Sequence, residues 1–468
     1  MVSKNFRFNE QVIIGQVQKG QEFQKAGDFV KAEAVYLTVL SQNPSELNSL
    51  FSLATLYQQM GKLPIAINLF RRLLMLAPPN PAIYNNLGGC LHQESDNEGA
   101  LEAYSLANKL SKGQDPDILS NLGGLAVNDN RPEFGLPYLD KAVELKPDHP
   151  HANWNRSLVY LELERWAEGF DGYEYGMSTG DRKNKTYGNV PKWNGEDCNT
   201  IVVCGEQGIG DEVMFSSCLV DLAKKVKRIV FDCHPRLVEA FAHHEASKLC
   251  DFIVTPTRKK AEVEWLDEYK PDYCVNVGSL GKFFRRNKEN FPGQKFLTYP
   301  TDALDKWKKI LDTIDNKPKI GISWFGGAKK TRSDIRSIPL ENLIPITTID
   351  KYTFINLQYN VKEHDLNEVE KQSGVKLHYV TSEDDYFSWL GVLNACDYVI
   401  SVCTSIVHLA GAYGIPCICM VPSKPAWRYG LKKDKMVWYD SVKLVRQTED
   451  DEWKDVVNIT KDILLGEV

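Results

Sequence analysis

The stretch Val202–Phe215, VVCGEQGIGDEVMF, combines three local signals within a few residues. The apolar run Ile201–Cys204 predicts a buried strand, and the turn Gly205–Asp211 that follows it contains three glycines. From Val213 onward the apolar pattern predicts a helix. A helix that begins directly after a strand and a glycine turn points its backbone N–H groups at an anionic or polar ligand. The stretch therefore predicts a ligand-binding strand–turn–helix unit.

Side chains of this turn are candidates for the chemistry of such a site. Gly208 and Gly210 allow close approach of the backbone, and Glu206 and Asp211 place two carboxylates at the mouth of the turn. The alternative is a plain connection between strand and helix in which the aspartate only caps the helix.

Composition sets the class of protein. The chain has 468 residues, 43% hydrophobic and 25% charged, which is typical of a soluble globular protein of about three domains. A net charge of −6 argues against nucleic acid or an anionic membrane as partner. The first residues, MVSKNFRFNEQ, lack the apolar core of a secretory signal, and no apolar run reaches the roughly 18 residues of a membrane span. We therefore expect a cytoplasmic location.

The cysteines indicate reduced thiols. The sequence has 11 of them, scattered and without any CxxC spacing. In a reducing compartment such residues act as small hydrophobic side chains, and this spacing does not predict a zinc site.

The first part of the chain repeats with a period of 34 residues. Small and aromatic residues recur in register: Gly20, Ala54 and Gly88; Phe23, Tyr57 and Leu91; Ala32, Ala66 and Ala100; Tyr36, Phe70 and Tyr104. A fourth unit follows one residue out of phase, and a fifth begins near His151. This pattern resembles the tetratricopeptide repeat, which implies an α-solenoid of stacked helical hairpins, here over residues 1–176.

The concave side of such an array holds an extended peptide or a partner protein. Asparagines recur near the same point of the first helix in successive units and are candidates for binding a peptide backbone through their amides: Asn85, Asn86, Asn121 and Asn155. They are equally compatible with solvated surface residues, and the array with a purely structural or oligomerising role.

After the repeats, a polar segment over residues 177–199 predicts a linker, which Trp193 pins to the following domain. From Thr200 onward strands alternate with helices, which predicts parallel sheets covered by helices. We expect two Rossmann-like domains, residues 200–316 and 317–450, facing a cleft. The second includes a strand at Lys376–Val380. An amphipathic helix within residues 451–468 is expected to brace the first of the two.

Two further strand ends carry polar clusters. After the strand Lys319–Trp324, Gly326 precedes four cations: Lys329, Lys330, Arg332 and Arg336. Glycines followed by cations suit a diphosphate, although a solvated basic loop is the alternative. After the strand ending at Val402, Thr404 and Ser405 start a helix whose free N–H groups form an anion site. His408 on that helix either donates to a phosphate or packs in the core.

The second part of the chain resembles a GT-B glycosyltransferase of the heptosyltransferase-related (family 9-like) group. It is similar to bacterial proteins in which tetratricopeptide repeats precede such a domain, including flagellin-modifying transferases. The motifs that carry the resemblance run in family order: Glu168–Gly176, Pro191–Glu196, Glu206–Phe215, Gly321–Gly327, Arg336–Leu340, Ile355–Gln358, Cys396–Pro416, Ala426–Gly430 and Val445–Trp453.

The resemblance implies an inverting transfer from a nucleotide-activated sugar, without an obligatory metal or other cofactor. Asp211 would be the general base on the acceptor hydroxyl, within about 3 Å of it, with Glu206 beside it. The remaining motif positions would hold the donor: Gly208, Gly210, Gly326, Lys329, Lys330, Arg332, Arg336, Gln358, Cys403, Thr404, Ser405 and His408. Relatives usually carry aspartate where this chain has Cys403, which puts the donor sugar in doubt because a thiol cannot replace a carboxylate as acceptor.

Three functions remain open at this point. The first is a glycosyltransferase acting on a Ser or Thr hydroxyl of a protein or peptide that the repeats recruit. The second is a glycosyltransferase with a glycan or lipid-linked acceptor. The third is a non-catalytic scaffold. The pair Asp384-Asp385 is interpreted as a helix-capping turn and not as a metal-binding element.

Overall fold

The computed structural model describes residues 10–327, 332–359, 361, 363–374, 376–380, 385–448 and 453–466. The chain divides into two compact units, residues 1–156 and 157–468. The segment 157–176, which the sequence assigns to the last repeat, therefore belongs to the second unit. Lys329, Lys330, Asp384 and Asp451 lie outside the described residues.

The chain is helical from Glu10 to Gly172, and neighbouring helices along the first unit pack in pairs. The helices are α1 (Glu10–Lys25), α2 (Phe29–Gln42), α3 (Leu47–Gln59), α4 (Leu63–Leu76), α5 (Pro81–Gln93), α6 (Asn97–Leu110), α7 (Pro116–Asn128), α8 (Pro132–Leu145), α9 (Pro150–Glu162) and α10 (Trp166–Gly172). Proline starts several of them because its missing N–H costs nothing at that position.

The repeated small residues allow each pair of helices to touch. A Cβ at Gly20 would lie 2.4 Å from the Tyr36 ring, and one at Gly88 would lie 2.8 Å from the Tyr104 ring. In the fourth unit Gly123 faces Leu139 in the same way, at 2.3 Å. The repeat predicted from small and aromatic residues is thus a contact between two helices of one hairpin.

The second unit contains two parallel sheets. The first has the order β3-β2-β1-β4, and the second has the order β6-β5-β7-β8-β9. Their strands are β1 (Cys198–Cys204), β2 (Val226–Asp232), β3 (Asp251–Thr255), β4 (Tyr273–Asn276), β5 (Lys319–Ser323), β6 (Thr353–Asn356), β7 (Tyr398–Val402), β8 (Cys417–Val421) and β9 (Val442–Arg446). In both sheets a central strand, β1 or β7, leads into a helix that carries predicted site residues.

Helices cover both sheets, so the strands are buried in an α/β arrangement. They are α11 (Gly176–Thr179), α12 (Ile209–Ser216), α13 (Leu219–Leu222), α14 (Val238–Ala242), α15 (Leu266–Tyr269), α16 (Gly281–Phe284), α17 (Thr301–Asp312), α18 (Ile344–Thr347), α19 (Glu363–Ser373), α20 (Tyr386–Ala395), α21 (Ser405–Tyr413) and α22 (Trp453–Leu465). Asp385 caps α20 by accepting from the N–H groups of Phe387 and Ser388, as predicted. Within the described ranges, no helix has the length and apolar content that a bilayer crossing needs.

The predicted linker lies along the first sheet. Lys192 pairs with Cys274 of β4, and the N–H of Trp193 donates to the Cys274 carbonyl at 2.9 Å. The indole of Trp193 is buried 4.5 Å from the Phe283 ring, so the expected anchoring by this residue is confirmed.

Two expectations about the second sheet are wrong. The segment Lys376–Val380 forms only a single bridge, between His378 and Ile355, and not a strand. The terminal helix α22 does not brace the first sheet, because its buried residues Val456, Val457 and Leu464 pack in the core of the second. A sequence pattern identifies the apolar face of a helix but not the layer that this face covers.

Candidate functional site

The first strand end has the predicted strand–turn–helix geometry. Strand β1 ends at Cys204, and α12 begins at Ile209 with Asp211 in its first turn. The carboxylate Oδ2 of Asp211 accepts from the Gly208 N–H at 3.2 Å. Asp211 therefore does cap its own helix, as the plain alternative requires, through one of its two oxygens.

The other oxygen of Asp211 forms an ion pair with Arg428. Arg428 follows β8, in the short helical turn Trp427–Tyr429, so the pair joins the two sheet layers of the second unit. About a fifth of each side chain is exposed, 19% for Arg428 and 20% for Asp211. Burial alone would lower the pKa of Arg428, but Asp211 together with Tyr173 and Tyr429 raises it overall. The pair is thus a charged contact at the mouth of the turn.

Glu206 is held inside the turn. Arg182 donates to both of its oxygens, and Oε1 also accepts from the Gly278 N–H at 3.1 Å. Burial would lower the pKa of Arg182, but Glu206 together with Tyr173 and Glu174 raises it overall. Only 2% of the Glu206 side chain is exposed. This arrangement favours a role in fixing the turn over the predicted catalytic role.

A third carboxylate, Glu212, was not predicted. It is completely buried, forms an ion pair with Arg258 and accepts from the His234 N–H at 2.7 Å. Burial raises its pKa to about 7 although Arg258 opposes the shift. A Cβ at Gly205 would lie 2.5 Å from its carboxyl carbon, so the first glycine of the turn makes room for this carboxylate.

Helices α12 and α21 meet at their first turns. A Cβ at Gly210 would lie 3.3 Å from the Cα of Ser405 and 3.0 Å from the His408 ring. Gly210 therefore permits a close approach between the first and third predicted strand ends, which belong to different sheets. Two helix N-termini converge here, and each contributes backbone N–H groups.

The third strand end is ordered by Thr404. Its hydroxyl accepts from the Ile406 N–H at 3.2 Å, which makes it the N-cap of α21, as predicted. Thr404 and Ser405 are both partly exposed. Cys403 faces the other way: its residue is 3% exposed, and its thiol lies 3.8 Å from the Cys419 thiol. The predicted contact of this thiol with a donor stays a prediction.

His408 is a packed histidine. It is 3% exposed, and its two ring nitrogens lie 3.4 Å from the hydroxyls of Tyr429 and Tyr439. Burial lowers its pKa to about 4, and Arg428 acts in the same direction while Asp211 opposes it. The ring is therefore neutral at pH 7, and the packing alternative describes its surroundings.

At the second strand end the loop after β5 is fixed by Gln358. Its Oε1 accepts from the N–H groups of Trp324 and Phe325 at 3.1 and 2.9 Å. Arg336 crosses over Gly326, where a Cβ would lie 2.5 Å from its Cγ, and donates to the Cys403 carbonyl at 2.7 Å. The second and third strand ends are thus in contact, whereas Gln358 supports the loop instead of facing outward.

The basic loop is described only in part. Arg332 has left-handed backbone, with φ +60°. Lys329 and Lys330 lie outside the described residues. Their predicted contact with a diphosphate stays a prediction.

The four asparagines of the first unit divide into two kinds. Asn121 donates to the Oδ1 of Asn85 at 2.8 Å, and Asn155 donates to the Ser120 carbonyl at 3.5 Å, so three of them connect successive first helices. Asn86 donates to Ala82 of its own helix. All four are partly exposed. Asn85, Asn121 and Asn155 therefore form a polar row, as expected from their spacing.

The second unit also contains a cavity whose lining includes none of the predicted site residues. The cavity has a volume of about 810 Å³ and is lined by residues from both sheet layers, including Asp221, Lys224, Glu245, Lys295 and Asp440. In the described part of the chain no group of three or more His, Cys, Asp or Glu side chains is arranged to hold a metal ion.

Asp211, Arg336, Ser405 and Arg428 form what we call the strand-end cluster. Arg428 is the member that was not predicted as a site residue. Its only signal in the sequence is its position in the motif Ala426–Gly430, AWRYG, and nothing there indicates its partner. Gln207 also belongs near it, since its Oε1 lies 3.5 Å from Arg428 Nη2.

Comparison with known proteins identifies repeats in the first unit. The second unit is described only by its parallel sheets and the helices that cover them. The family model for the tetratricopeptide repeat matches residues 51–115. The N-terminal region therefore contains tetratricopeptide repeats, and parallel sheets covered by helices follow them.

Among curated proteins, the chain is similar to Protein FlbA of Caulobacter vibrioides. The two are 23% identical over 481 aligned residues, which cover 90% of this chain and 78% of FlbA. It is also similar to lipopolysaccharide assembly protein B of Haemophilus influenzae, with 24% identity over 151 residues, 32% of this chain and 38% of that protein.

Solved structures that resemble the chain cover about a third of it. PilF of Pseudomonas aeruginosa has a TM-score of 0.33 and 18% identity, covering 36% of this chain and 76% of PilF. MamA has a TM-score of 0.31 and 20% identity, covering 35% of this chain and 94% of MamA.

Proposed function

We propose that the chain is an inverting GT-B glycosyltransferase. It transfers a sugar from a nucleotide-activated donor to a Ser or Thr hydroxyl of a protein or peptide that the repeat array recruits. The observation that carries the proposal is the strand-end cluster: a carboxylate after β1 lies beside a helix N-terminus after β7 and cations from two other segments. Ligands of parallel sheets bind at this edge, outside the carboxyl ends of the strands.

The proposed reaction assigns one role to each member of the cluster. Asp211 accepts the proton of the acceptor hydroxyl, the oxygen attacks the anomeric carbon, and the bond from that carbon to the diphosphate breaks. The nucleoside diphosphate leaves as an anion. Arg336 and the N–H groups at the start of α21 are suited to bind its charge. No metal ion is needed for this balance of charge.

The repeat array supports an acceptor that is a polypeptide. The row of Asn85, Asn121 and Asn155 presents partly exposed amides at one level of successive first helices. Amides that pair with each other can exchange those bonds for bonds to a peptide backbone with little net loss. Binding by the array would raise the effective concentration of the acceptor.

One observation favours the non-catalytic scaffold as a second candidate. All three carboxylates of the first strand end are paired with arginines, Glu206 with Arg182, Asp211 with Arg428 and Glu212 with Arg258. A purely structural α/β unit would have the same pairs.

Nucleotide binding and mass analysis separate the two candidates. A transferase is expected to be stabilised by one nucleoside diphosphate or CMP in a thermal-shift series, by about 2.7 kcal/mol at 100 times the Kd. Candidate acceptors co-expressed with the chain are expected to gain the mass of one sugar, measured on the intact protein.

Asp211→Asn is the decisive variant for that assay. It is expected to lose transfer while still binding nucleotide, because it removes the base and leaves the cations. Asp251→Asn, which alters an exposed partner of Arg228 in the first sheet, is the matched control and is expected to retain transfer. Unchanged turnover in Asp211→Asn would exclude Asp211 as the base. A wild-type protein that binds none of the nucleotides would favour the scaffold.

A further inference from the structure

We infer that Arg428 is a switch with two alternative partners. Its guanidinium pairs with Asp211, and on binding of the donor it moves to a phosphate and thereby releases the carboxylate. The inference rests on the proposed function, in which Asp211 is the base and the ligand is a nucleotide-activated sugar. It adds how that base is controlled and which residue couples it to the donor.

The first observation is that both oxygens of Asp211 have partners. Oδ1 is paired with Arg428 and Oδ2 accepts from the Gly208 N–H. A general base needs a lone pair within hydrogen-bond reach of the hydroxyl that it deprotonates, and the ion pair with Arg428 competes with that hydroxyl for the carboxylate. The bond to Gly208 belongs to the helix start itself. The bond to Arg428 comes from the other sheet layer and is the one that can be exchanged.

The second observation is that the guanidinium has spare capacity. Its Nη2 serves Asp211 and lies 3.5 Å from the Gln207 Oε1, at the limit of a hydrogen bond. Its Nε is buried and has no hydrogen-bond partner among the described residues. A guanidinium has five N–H donors in a planar fork, which matches two oxygens of a phosphate. Arg428 therefore has an N–H donor left for a further acceptor.

The third observation is that the backbone at this position is anchored, whereas the side chain is held by its pair with Asp211 and by a cation–π contact 5.0 Å from the Trp427 ring centre. Trp427 and Tyr429 on either side are buried. Arg446 donates to the carbonyls of Tyr429 and Gly430. The exchange of partners thus requires rotation of one side chain across the cluster and no movement of a strand or helix.

Charge determines which partner is preferred. A diphosphate carries at least two negative charges and more acceptor oxygens than the single charge of Asp211, so it is the stronger partner for a guanidinium. The α21 N-terminus and Arg336 lie in the same cluster and add to the attraction. Donor binding would then expose the base only when a sugar is present to be transferred.

The test is a double-mutant cycle on anion binding. Dissociation constants for inorganic pyrophosphate, and for UDP, GDP, ADP and dTDP, are measured by calorimetry for the wild type, Asp211→Asn, Arg428→Gln and the double variant. If Arg428 exchanges Asp211 for a phosphate, Asp211→Asn is expected to tighten pyrophosphate binding at least tenfold, because a carboxamide competes only weakly for Arg428. Arg428→Gln is expected to weaken binding at least tenfold.

The double variant separates a switch from plain electrostatics. Removing the negative charge of Asp211 favours any nearby anion, and that gain would persist without Arg428. A switch predicts that the gain disappears in the Arg428→Gln background. Arg228→Gln and Asp251→Asn alter an exposed pair at the opposite edge of the first sheet and are expected to leave the affinity unchanged. Arg428→Met, which also removes the charge, replaces Arg428→Gln if the latter does not fold, and the gain is expected to disappear in that background as well.

Each result supports or overturns the switch, the proposed donor binding or both. A gain that survives in the double variant, or no gain in Asp211→Asn, overturns the switch. If the nucleotides bind all variants equally, the switch is wrong and the proposed donor binding stands. If pyrophosphate shows the expected cycle but none of the nucleotides binds, the switch stands and the assignment of the donor falls. If neither class of anion binds, both are overturned.

Discussion

Arg182 and Glu206 form a buried ion pair with two contacts, Nη2 to Oε1 at 2.5 Å and Nε to Oε2 at 3.2 Å. None of the Arg182 side chain and 2% of the Glu206 side chain is exposed. The pair joins the segment after α11 to the turn after β1. Glu206 therefore fixes the backbone from which Asp211 projects.

Glu206→Gln is expected to destabilise the second unit. It leaves the buried Arg182 charge with only the partly exposed Glu174 as counter-charge, and the loss of one partner from a comparable buried pair costs about 3–5 kcal/mol of unfolding free energy. Urea unfolding measures the change, with the exposed Glu196→Gln as control. If Glu206→Gln instead unfolds like the wild type but loses transfer, the residue is catalytic after all.

Two glycines of α1 are expected to respond oppositely to alanine. Gly20→Ala places a Cβ 2.4 Å from the buried Tyr36 ring, so overpacking is expected to cost about 1–3 kcal/mol. At Gly15 nothing lies within 4 Å of the new Cβ, and alanine is expected to stabilise the helix by about 0.8–1 kcal/mol. Thermal unfolding of the two variants checks both signs. Equal effects would show that the small residue of the repeat is not a packing requirement.

Acid is expected to destabilise the second unit through His244. The neutral ring uses both nitrogens: Nε2 donates to the Ser216 carbonyl and Nδ1 accepts from the Ala246 N–H. Burial lowers its pKa from 6.5 to about 4, with the bond to Ser216 opposing the shift. The unfolded chain then binds a proton first, so the contribution to stability falls as the pH drops from about 6.5 towards 4.

The expected loss at pH 5, relative to pH 8, is about 2 kcal/mol for this one group. Urea unfolding across that range measures it. His244→Gln is expected to flatten this part of the profile, whereas the exposed His243→Gln is expected to leave the slope unchanged. A profile that His244→Gln does not alter would mean that protonation of another group dominates.

The elements that sequence reasoning predicted are those with local causes. The apolar runs of β1, β7 and β8, the N-caps Thr404 and Asp385, and the small residues of the repeat all depend on neighbours within one hairpin or one strand–helix unit. Such features follow from periodicity and capping chemistry alone.

What was missed depends on partners distant in sequence. Glu206 looked like a catalytic carboxylate because its partner Arg182 lies in a segment that reads as a linker. Arg428 was overlooked because Asp211 comes from the other sheet. Long-range pairing of this kind is fixed by tertiary packing, which one sequence does not report.

Replacing Cys403 by aspartate is expected to lower the free energy of unfolding. The relatives that the sequence resembles usually carry Asp there, but this chain turns the side chain inward, where Cys403 is 3% exposed and 3.8 Å from the Cys419 thiol. Cys403→Asp buries a carboxylate, and the nearby Arg446 already donates to the carbonyls of Tyr429 and Gly430, so a cost of about 3 kcal/mol is expected. Cys403→Ala, which removes only the sulfur, is the matched control and is expected to cost about 1 kcal/mol. Urea unfolding compares the two. If Cys403→Asp is as stable as the alanine variant and binds nucleotide sugars more tightly, the side chain turns outward to the donor, and the packing of this thiol against Cys419 is not what determines its role.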